Sequence, residues 1–108
     1  MAYTLNKYGL RDKDMQYMLS VFGQDTNIQK VIIYGSRAKA TNRLGSDIDL
    51  ALCGDTISNK TIGRIHYLLE EESPTLLWFD VCHFESLNNL KLKEQILEHG
   101  QVIYERVG

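Results

Sequence analysis

A glycine–serine pair and, ten residues further on, two closely spaced aspartates are the residues in this chain best suited to chemistry. The pair is Gly35-Ser36, and the aspartates are Asp47 and Asp49. A strand that ends at a glycine and leads into a helix presents free backbone N–H groups, which favour an anion. Two carboxylates at alternate strand positions share one face and repel each other unless a cation lies between them. These residues predict a phosphate-binding turn beside a divalent-metal site, as chemistry on a nucleoside triphosphate requires.

A third carboxylate, Asp80, interrupts the apolar run of residues 76–82. A buried carboxylate without a cation costs roughly several kcal/mol. If its strand lies beside the strand of Asp49, the aspartates can share one face and hold two Mg²⁺ ions, which prefer oxygen ligands. One ion would bind the triphosphate, and the other would lower the pKa of an attacking hydroxyl. The alternative is that Asp80 simply accepts hydrogen bonds from backbone N–H groups.

The segment around the glycine–serine pair is basic, although the whole chain carries a net charge of -2. Residues 26–46 include no acidic residue, and their basic residues are Lys30, Arg37, Lys39 and Arg43. We expect Arg37 and Lys39 to bind phosphate, because both follow the pair within one helical turn. The alternative is a solvated basic loop. The overall charge gives no general basic surface, so nonspecific nucleic-acid binding is not expected.

The spacing of apolar residues predicts helices that alternate with strands. The predicted helices cover residues 11–22, 36 to about 41, the stretch between the turn at 54–56 and the acidic run at 70–72, and 87–98. The predicted strands cover residues 31–34, 48–53, 76–82 and 101–105, and residues 42–46 are a predicted loop. Gly100 is expected to end the last helix in a left-handed conformation. This order indicates an α/β (α+β) fold, a small mixed sheet flanked by helices, and the 108 residues fit one domain.

Several other residues suggest no chemistry of their own. The three histidines show no ligand spacing and are far apart in the sequence, at His66, His83 and His99. Trp78 is expected to pack in the core, with covering a nucleotide base or a partner surface as the alternative.

Cysteine usage and the start of the chain indicate the compartment. Cys53 and Cys82 each follow an apolar run, so we expect two buried thiols in a reducing environment. The first residues lack the long apolar stretch of a signal peptide, and no segment is long enough to cross a membrane. We therefore expect a cytoplasmic protein without a membrane partner.

The stretches Tyr34-Gly35-Ser36-Arg37-Ala38-Lys39 and Ser46-Asp47-Ile48-Asp49-Leu50, followed by Asp80 in a strand, resemble the minimal nucleotidyltransferases of the DNA polymerase β superfamily. The resemblance extends to the order of elements over nearly the whole chain. It implies that Gly35 and Ser36 bind the triphosphate of ATP or another nucleotide. It also implies that the three aspartates bind Mg²⁺ and catalyse nucleotidyl transfer.

Two other phosphate-handling motifs fit less well. A Walker-type loop is excluded, because no Gly-Lys-Ser/Thr follows Gly35 at the required spacing. A haloacid-type phosphatase with an Asp-x-Asp motif does not call for an upstream glycine–serine turn.

The resemblance also implies a partner. Larger relatives carry an extra domain that holds the acceptor or the base, whereas a domain of this size leaves the site open on one side. We expect either a second copy of the chain or a different protein to complete it. Stand-alone minimal nucleotidyltransferases are often the antitoxin of a pair with a helical HEPN-type toxin, to which AMP from ATP would be transferred. The alternative function is a non-catalytic antitoxin that neutralises such a partner by contact.

Overall fold

A four-stranded sheet organises the computed structural model, which describes residues 6–39, 47–72 and 77–107. Its strands are β1 (Lys30–Tyr34), β2 (Ile48–Cys53), β3 (Phe79–His83) and β4 (Gln101–Glu105). They lie in the order β3-β2-β1-β4. Strand β1 pairs antiparallel with β2 and with β4, whereas β2 and β3 run parallel. The sheet is therefore mixed and is flanked by helices, which confirms the predicted fold class.

Three helices pack on this sheet: α1 (Asp12–Gly23), α2 (Asn59–Glu70) and α3 (Leu90–His99). Helix α2 begins after Ser58, whose side chain accepts a hydrogen bond from the Thr61 N–H at 3.2 Å. Helix α3 begins three residues later than predicted, because the Asn89 side chain accepts from the Leu92 N–H at 3.1 Å and caps it there. Such caps satisfy N–H groups that the first helical turn leaves without a partner.

The two faces of the sheet have different surroundings. One face, the core face, packs with α1 and α2, and its strand residues are Val31, Ile33, Ile48, Leu50, Leu52 and Phe79. On the opposite face, the site face, Ile32, Ala51 and Cys53 pack around Ile96 of α3. Because side chains alternate along a strand, Asp49 shares the site face with Ala51. The carboxylates therefore lie on the face that α3 covers only in part.

The short helix predicted from Ser36 is wrong for the residues that can be compared. Residues 35–39 form turns, in which the Lys39 N–H donates to the Gly35 carbonyl at 3.3 Å. The physical reason is a long-range contact: the buried Arg37 side chain donates to carbonyls in the N-terminal loop, and such contacts override weak helix propensity. The rest of that predicted helix, the predicted loop at 42–46 and Arg43 lie outside the described residues.

The expected core packing of Trp78 is also wrong, because 65% of this residue is exposed. Phe79, the next residue, occupies the core face, so alternation directs the Trp78 side chain to the other side of the sheet. The Trp78 carbonyl still accepts a hydrogen bond from the Ile48 N–H at 2.9 Å. Strand β3 begins at Phe79 rather than at residue 76, and residues 73–76 lie outside the described part of the chain.

Gly100 ends α3, but the left-handed conformation predicted for it is wrong. Its backbone is extended, with φ -68° and ψ 158°, a conformation open to any residue. Glycine is needed for space instead. A Cβ atom there would lie 2.5 Å from Cγ2 of Ile32 and would also overlap the carbonyl oxygen of Ile96.

None of the helices in the three described ranges combines the length and apolar character needed to cross a lipid bilayer.

We expect Gly100→Ala to lower the free energy of unfolding by about 1–3 kcal/mol, because the added methyl group forces α3 away from β1. Gly63→Ala is the matched control, since an added Cβ in the middle of α2 meets no heavy atom within 4 Å. That control should gain about 0.5–1 kcal/mol from helix propensity. Urea denaturation measures both changes, and a Gly100→Ala protein as stable as the wild type would contradict the packing described.

Candidate functional site

Two carboxylates lie next to each other where β2 and β3 run side by side, and a third lies just before β2. Asp49 in β2 and Asp80 in β3 are register partners in the parallel pair, so their side chains leave the sheet on the same face. Asp47 comes just before β2 and is exposed, as is Asp80, whereas Asp49 is half-buried. The condition on which the sequence-based metal site depended, that the strand of Asp80 lies beside that of Asp49, is met.

Asp47, Asp49 and Asp80 together are called the acidic row. Their surroundings disfavour the ionised form of Asp49. Burial raises the pKa of Asp49 above its usual value, and the charges of Asp80 and Asp47 raise it further. The positive charge of Arg37 acts in the opposite direction. Both burial and a like charge penalise the ionised form of a carboxyl group. A cation bound beside Asp49 would remove this penalty.

Gly35 is needed where it stands for two independent reasons. Its φ of 76° is a left-handed value that side chains rarely permit. A Cβ atom there would also overlap Oδ2 of Asp49 and lie 3.3 Å from its carboxyl carbon. The bare Gly35 backbone therefore lies directly against the Asp49 carboxylate. Any phosphate bound at the Gly35-Ser36 turn would be next to any metal bound at Asp49.

The donor set fits Mg²⁺. Asp47, Asp49 and Asp80 offer only carboxylate oxygens, which this hard cation prefers. Within the described ranges, no three His, Cys, Asp or Glu side chains are already close enough to enclose a metal ion. Mg²⁺ is usually bound by one or two carboxylates together with water and substrate phosphates, not by a closed protein cage.

Arg37 is placed differently from what a phosphate ligand would suggest. Only 3% of it is exposed, and its Nη1 donates to the carbonyl oxygens of Tyr8 at 3.0 Å and Gly9 at 3.3 Å. Those carbonyls are held by a compact loop in which the Asn6 side chain accepts from the N–H groups of Tyr8 and Leu10. Arg37 therefore anchors the turn at residues 35–39 to the N-terminal loop, and its predicted contact with phosphate stays a prediction.

Ser36 and Lys39 remain candidates for the triphosphate. Ser36 is half-buried within the turn, and Lys39 is exposed at its end. The predicted roles of Gly35, Ser36 and Lys39 in phosphate binding, like those of the aspartates in metal binding and catalysis, stay predictions.

Comparison with known proteins agrees with this geometry. A sequence model described as "Polymerase beta, Nucleotidyltransferase" matches residues 16–107. The chain belongs to the polymerase β nucleotidyltransferase family. This match confirms the family resemblance carried by the glycine–serine and aspartate motifs. No curated protein sequence gives a significant match to the chain.

Solved structures share the fold of this nucleotidyltransferase-family domain. One is a chain of a toxin–antitoxin complex with AMP-PNP, with TM-score 0.70 and 19% identity over 85% of this chain and 73% of that chain. Another comes from a complex of the tri-AMPylated Shewanella oneidensis HEPN toxin with its MNT antitoxin, with TM-score 0.64 and 17% identity. It covers 86% of this chain and 71% of that chain. At such identities the likeness is one of fold.

Tyr34 lies beside the candidate site of this family member, although the sequence analysis gave it no role. It is the register partner of Asp49 across the β1–β2 pair, and its hydroxyl lies 3.6 Å from Sγ of Cys82. Burial raises the pKa of Tyr34 strongly, and Cys82, Asp49 and Asp80 add to the effect. Burial also raises the pKa of Cys82. Both groups therefore stay protonated beside the acidic row, and only strand register, which a sequence does not give, could have identified them.

We expect Asp49→Asn to be more stable than the wild type at pH 7, by about 1 kcal/mol, the strength of one charge pair a few Å apart in a solvated setting. Because the pKa of Asp49 is raised in the folded state, the native protein binds this proton more tightly than the unfolded chain does. The contribution of Asp49 to the free energy of unfolding therefore falls as the pH rises above the pKa that this carboxyl group has in the unfolded chain, near 3.8. The advantage of the variant should disappear as the pH is lowered toward that value.

Thermal unfolding between pH 4 and pH 8, with and without Mg²⁺, measures this effect. Mg²⁺ should stabilise the wild type more than Asp49→Asn, and exposed Asp55→Asn is the control for a lost surface charge. A variant less stable than the wild type at pH 7 would show that Asp49 is held by attraction and not strained by repulsion.

We expect Arg37→Met to lower the free energy of unfolding by about 1–3 kcal/mol, because it leaves the carbonyls of Tyr8 and Gly9 without their donor. Lys39→Met removes the same charge from an exposed position two residues away and should change stability by less than about 0.5 kcal/mol. Urea denaturation of the two variants distinguishes an anchoring residue from a surface charge. Equal stability of both variants would contradict the anchoring role.

Proposed function

We propose that this domain is a Mg²⁺-dependent nucleotidyltransferase that transfers AMP from ATP to a hydroxyl group of a helical, HEPN-type partner protein. The observation that carries the proposal is the register of Asp49 with Asp80 beside the bare backbone of Gly35. Membership of the polymerase β nucleotidyltransferase family supports it. So does the fold likeness to proteins solved with AMP-PNP and with an AMPylated HEPN toxin.

The residues divide into two groups under this proposal. The Gly35-Ser36 turn and Lys39 bind the triphosphate, while Arg37 holds the turn in position through the N-terminal loop. Asp47, Asp49 and Asp80 would hold two Mg²⁺ ions, on the face that α3 leaves partly open. When bound, Mg²⁺ would neutralise phosphate charge and lower the pKa of the acceptor hydroxyl.

The chemical step is an in-line displacement at the α-phosphorus of ATP. The acceptor oxygen forms a bond to the α-phosphorus. At the same time, the bond breaks between the α-phosphorus and the oxygen that bridges it to the β-phosphorus. Pyrophosphate leaves with the electron pair of the broken bond. The hydroxyl proton passes to a carboxylate oxygen of Asp80, which is exposed and lies at the outer end of the acidic row.

An exposed tryptophan supports a protein acceptor over a small molecule. Trp78 is 65% exposed and lies two residues before Asp80, at the end of β3 where the acidic row is formed. Tryptophan is enriched among residues that dominate protein–protein binding energy. We propose that the partner covers Trp78 while it presents its hydroxyl to Asp80.

We also propose a cytoplasmic location for the protein. The free thiols of Cys53 and Cys82 fit this location, because disulfides are rare in a reducing compartment.

The decisive experiment incubates the protein with α-labelled ATP, Mg²⁺ and the protein encoded by the adjacent gene. We expect label on the partner, and an Asp47→Asn, Asp49→Asn double variant should lose about 10²–10³-fold of the rate, because several kcal/mol of metal-derived stabilisation are removed. Asp55→Asn, an exposed acid outside the row, should keep the wild-type rate. Asp80→Asn should lose rate to a similar extent as the double variant.

Two other results would change the conclusion. Full neutralisation of the partner by the double variant, with no transfer by the wild type, would identify a non-catalytic antitoxin that acts by contact. Label found on the chain itself in the absence of a partner would indicate a second copy of the chain as acceptor.

A further inference from the structure

A cavity of about 230 Å³ opens beside the phosphate turn, between this turn and α3. The residues that line it are Tyr34, Gly35, Lys39, Leu92, Gln95 and His99. Two of them also belong to the candidate active site: Gly35 lies against Asp49, and Tyr34 is the register partner of Asp49. A molecule bound at the acidic row could therefore extend into the cavity without leaving the protein surface.

The cavity is too small for a whole nucleotide. Pockets that enclose drug-sized ligands measure roughly 300–1,000 Å³. A volume of about 230 Å³ fits one flat ring system with part of a sugar, while the phosphates stay outside. The apolar surfaces of Leu92 and the half-buried Tyr34 ring suit such a flat group.

Charge decides which end of a nucleotide would enter. His99 lies in the last turn of α3, where the helix dipole places partial negative charge that disfavours phosphate. Lys39, the lysine of the lining, comes from the phosphate turn. The triphosphate is therefore favoured at the turn, and an uncharged nucleoside is favoured at the α3 side.

Gln95 offers a way to distinguish bases. Its side chain is exposed on α3, and its amide carries one acceptor and two donor hydrogens. Such an amide pairs in bidentate fashion with an edge that offers a donor beside an acceptor, as adenine N6 and N7 do. The corresponding guanine edge, O6 and N7, offers two acceptors and suits arginine or lysine instead.

We propose that this cavity is the nucleoside subsite of the enzyme and that Gln95 makes it selective for adenine over guanine. This inference takes the position of the triphosphate from the proposed function. The binding of the nucleoside in the cavity does not depend on that function. Tyr34 and Leu92 form the apolar walls, and Lys39 marks the end from which the phosphates lead toward Asp49.

Calorimetric titration tests the subsite with three probes: a non-hydrolysable ATP analogue with Mg²⁺, its GTP counterpart, and inorganic triphosphate with Mg²⁺. Gln95→Ala should weaken binding of the ATP analogue about tenfold and reduce the preference over the GTP analogue by a similar factor. It should leave the affinity for inorganic triphosphate unchanged. Glu94→Ala, an exposed neighbour on α3 that does not line the cavity, is the matched control and should alter none of the three.

Adenosine without phosphate gives a second measurement that does not depend on catalysis. In proton NMR spectra, the ring resonances of His99 should shift with adenosine and stay in place with inorganic triphosphate. If Gln95→Ala affects the ATP analogue and inorganic triphosphate equally, or affects neither, the subsite is wrong even where AMP transfer is observed. If adenosine shifts His99 but no acceptor is ever labelled, the subsite stands and the proposed transfer fails. Absence of any nucleotide or nucleoside binding overturns both.

Discussion

Repulsion between two carboxylates on neighbouring strands is the constraint around which this domain is arranged. Parallel pairing of β2 with β3 places Asp49 beside Asp80, and burial on one side makes a shared negative charge costly. The core face of the same strands opposes that cost, because each buried Leu, Ile or Phe side chain contributes about 1.5–3 kcal/mol. Several such residues outweigh a repulsion of about 1 kcal/mol. The sheet can therefore hold the acids together before any metal or nucleotide binds.

Local sequence patterns were sufficient for most of the fold and for the identity of the acidic row. Alternation along a strand placed Asp47 and Asp49 on one face, and the carboxylate in an apolar run singled out Asp80. Periodic apolar residues gave α1 and α2 within about a turn, and the four strands within a few residues. These features succeed because each depends on near neighbours in the chain, where side-chain direction follows directly from backbone geometry.

Features that depend on distant contacts could not be obtained in this way. The Arg37 side chain reaches carbonyls 28 and 29 residues earlier in the chain, and this contact replaces the predicted helix with turns. Trp78 looked like a core residue because its neighbours are apolar, but only the register with β2 shows that Phe79 takes the core position. Gly100 was predicted from the sequence to adopt a left-handed backbone conformation, whereas a glycine is required there because Ile32 lies too close for a side chain. In each case, the structure is decided by a contact with a residue from a different part of the fold.

The position of Asp80 in the sheet has a consequence for how an acceptor can approach. Among the described strands, β3 is at one edge of the sheet, but its main chain beside Asp80 already has partners in α2. The Phe79 N–H donates to Oε2 of Glu70 at 2.7 Å, and the Phe79 carbonyl lies 3.0 Å from Nε2 of His66. Another strand could pair with the edge at Phe79 only by displacing these side chains. An acceptor is therefore favoured to approach Asp80 from the site face, toward which its carboxylate leaves the sheet.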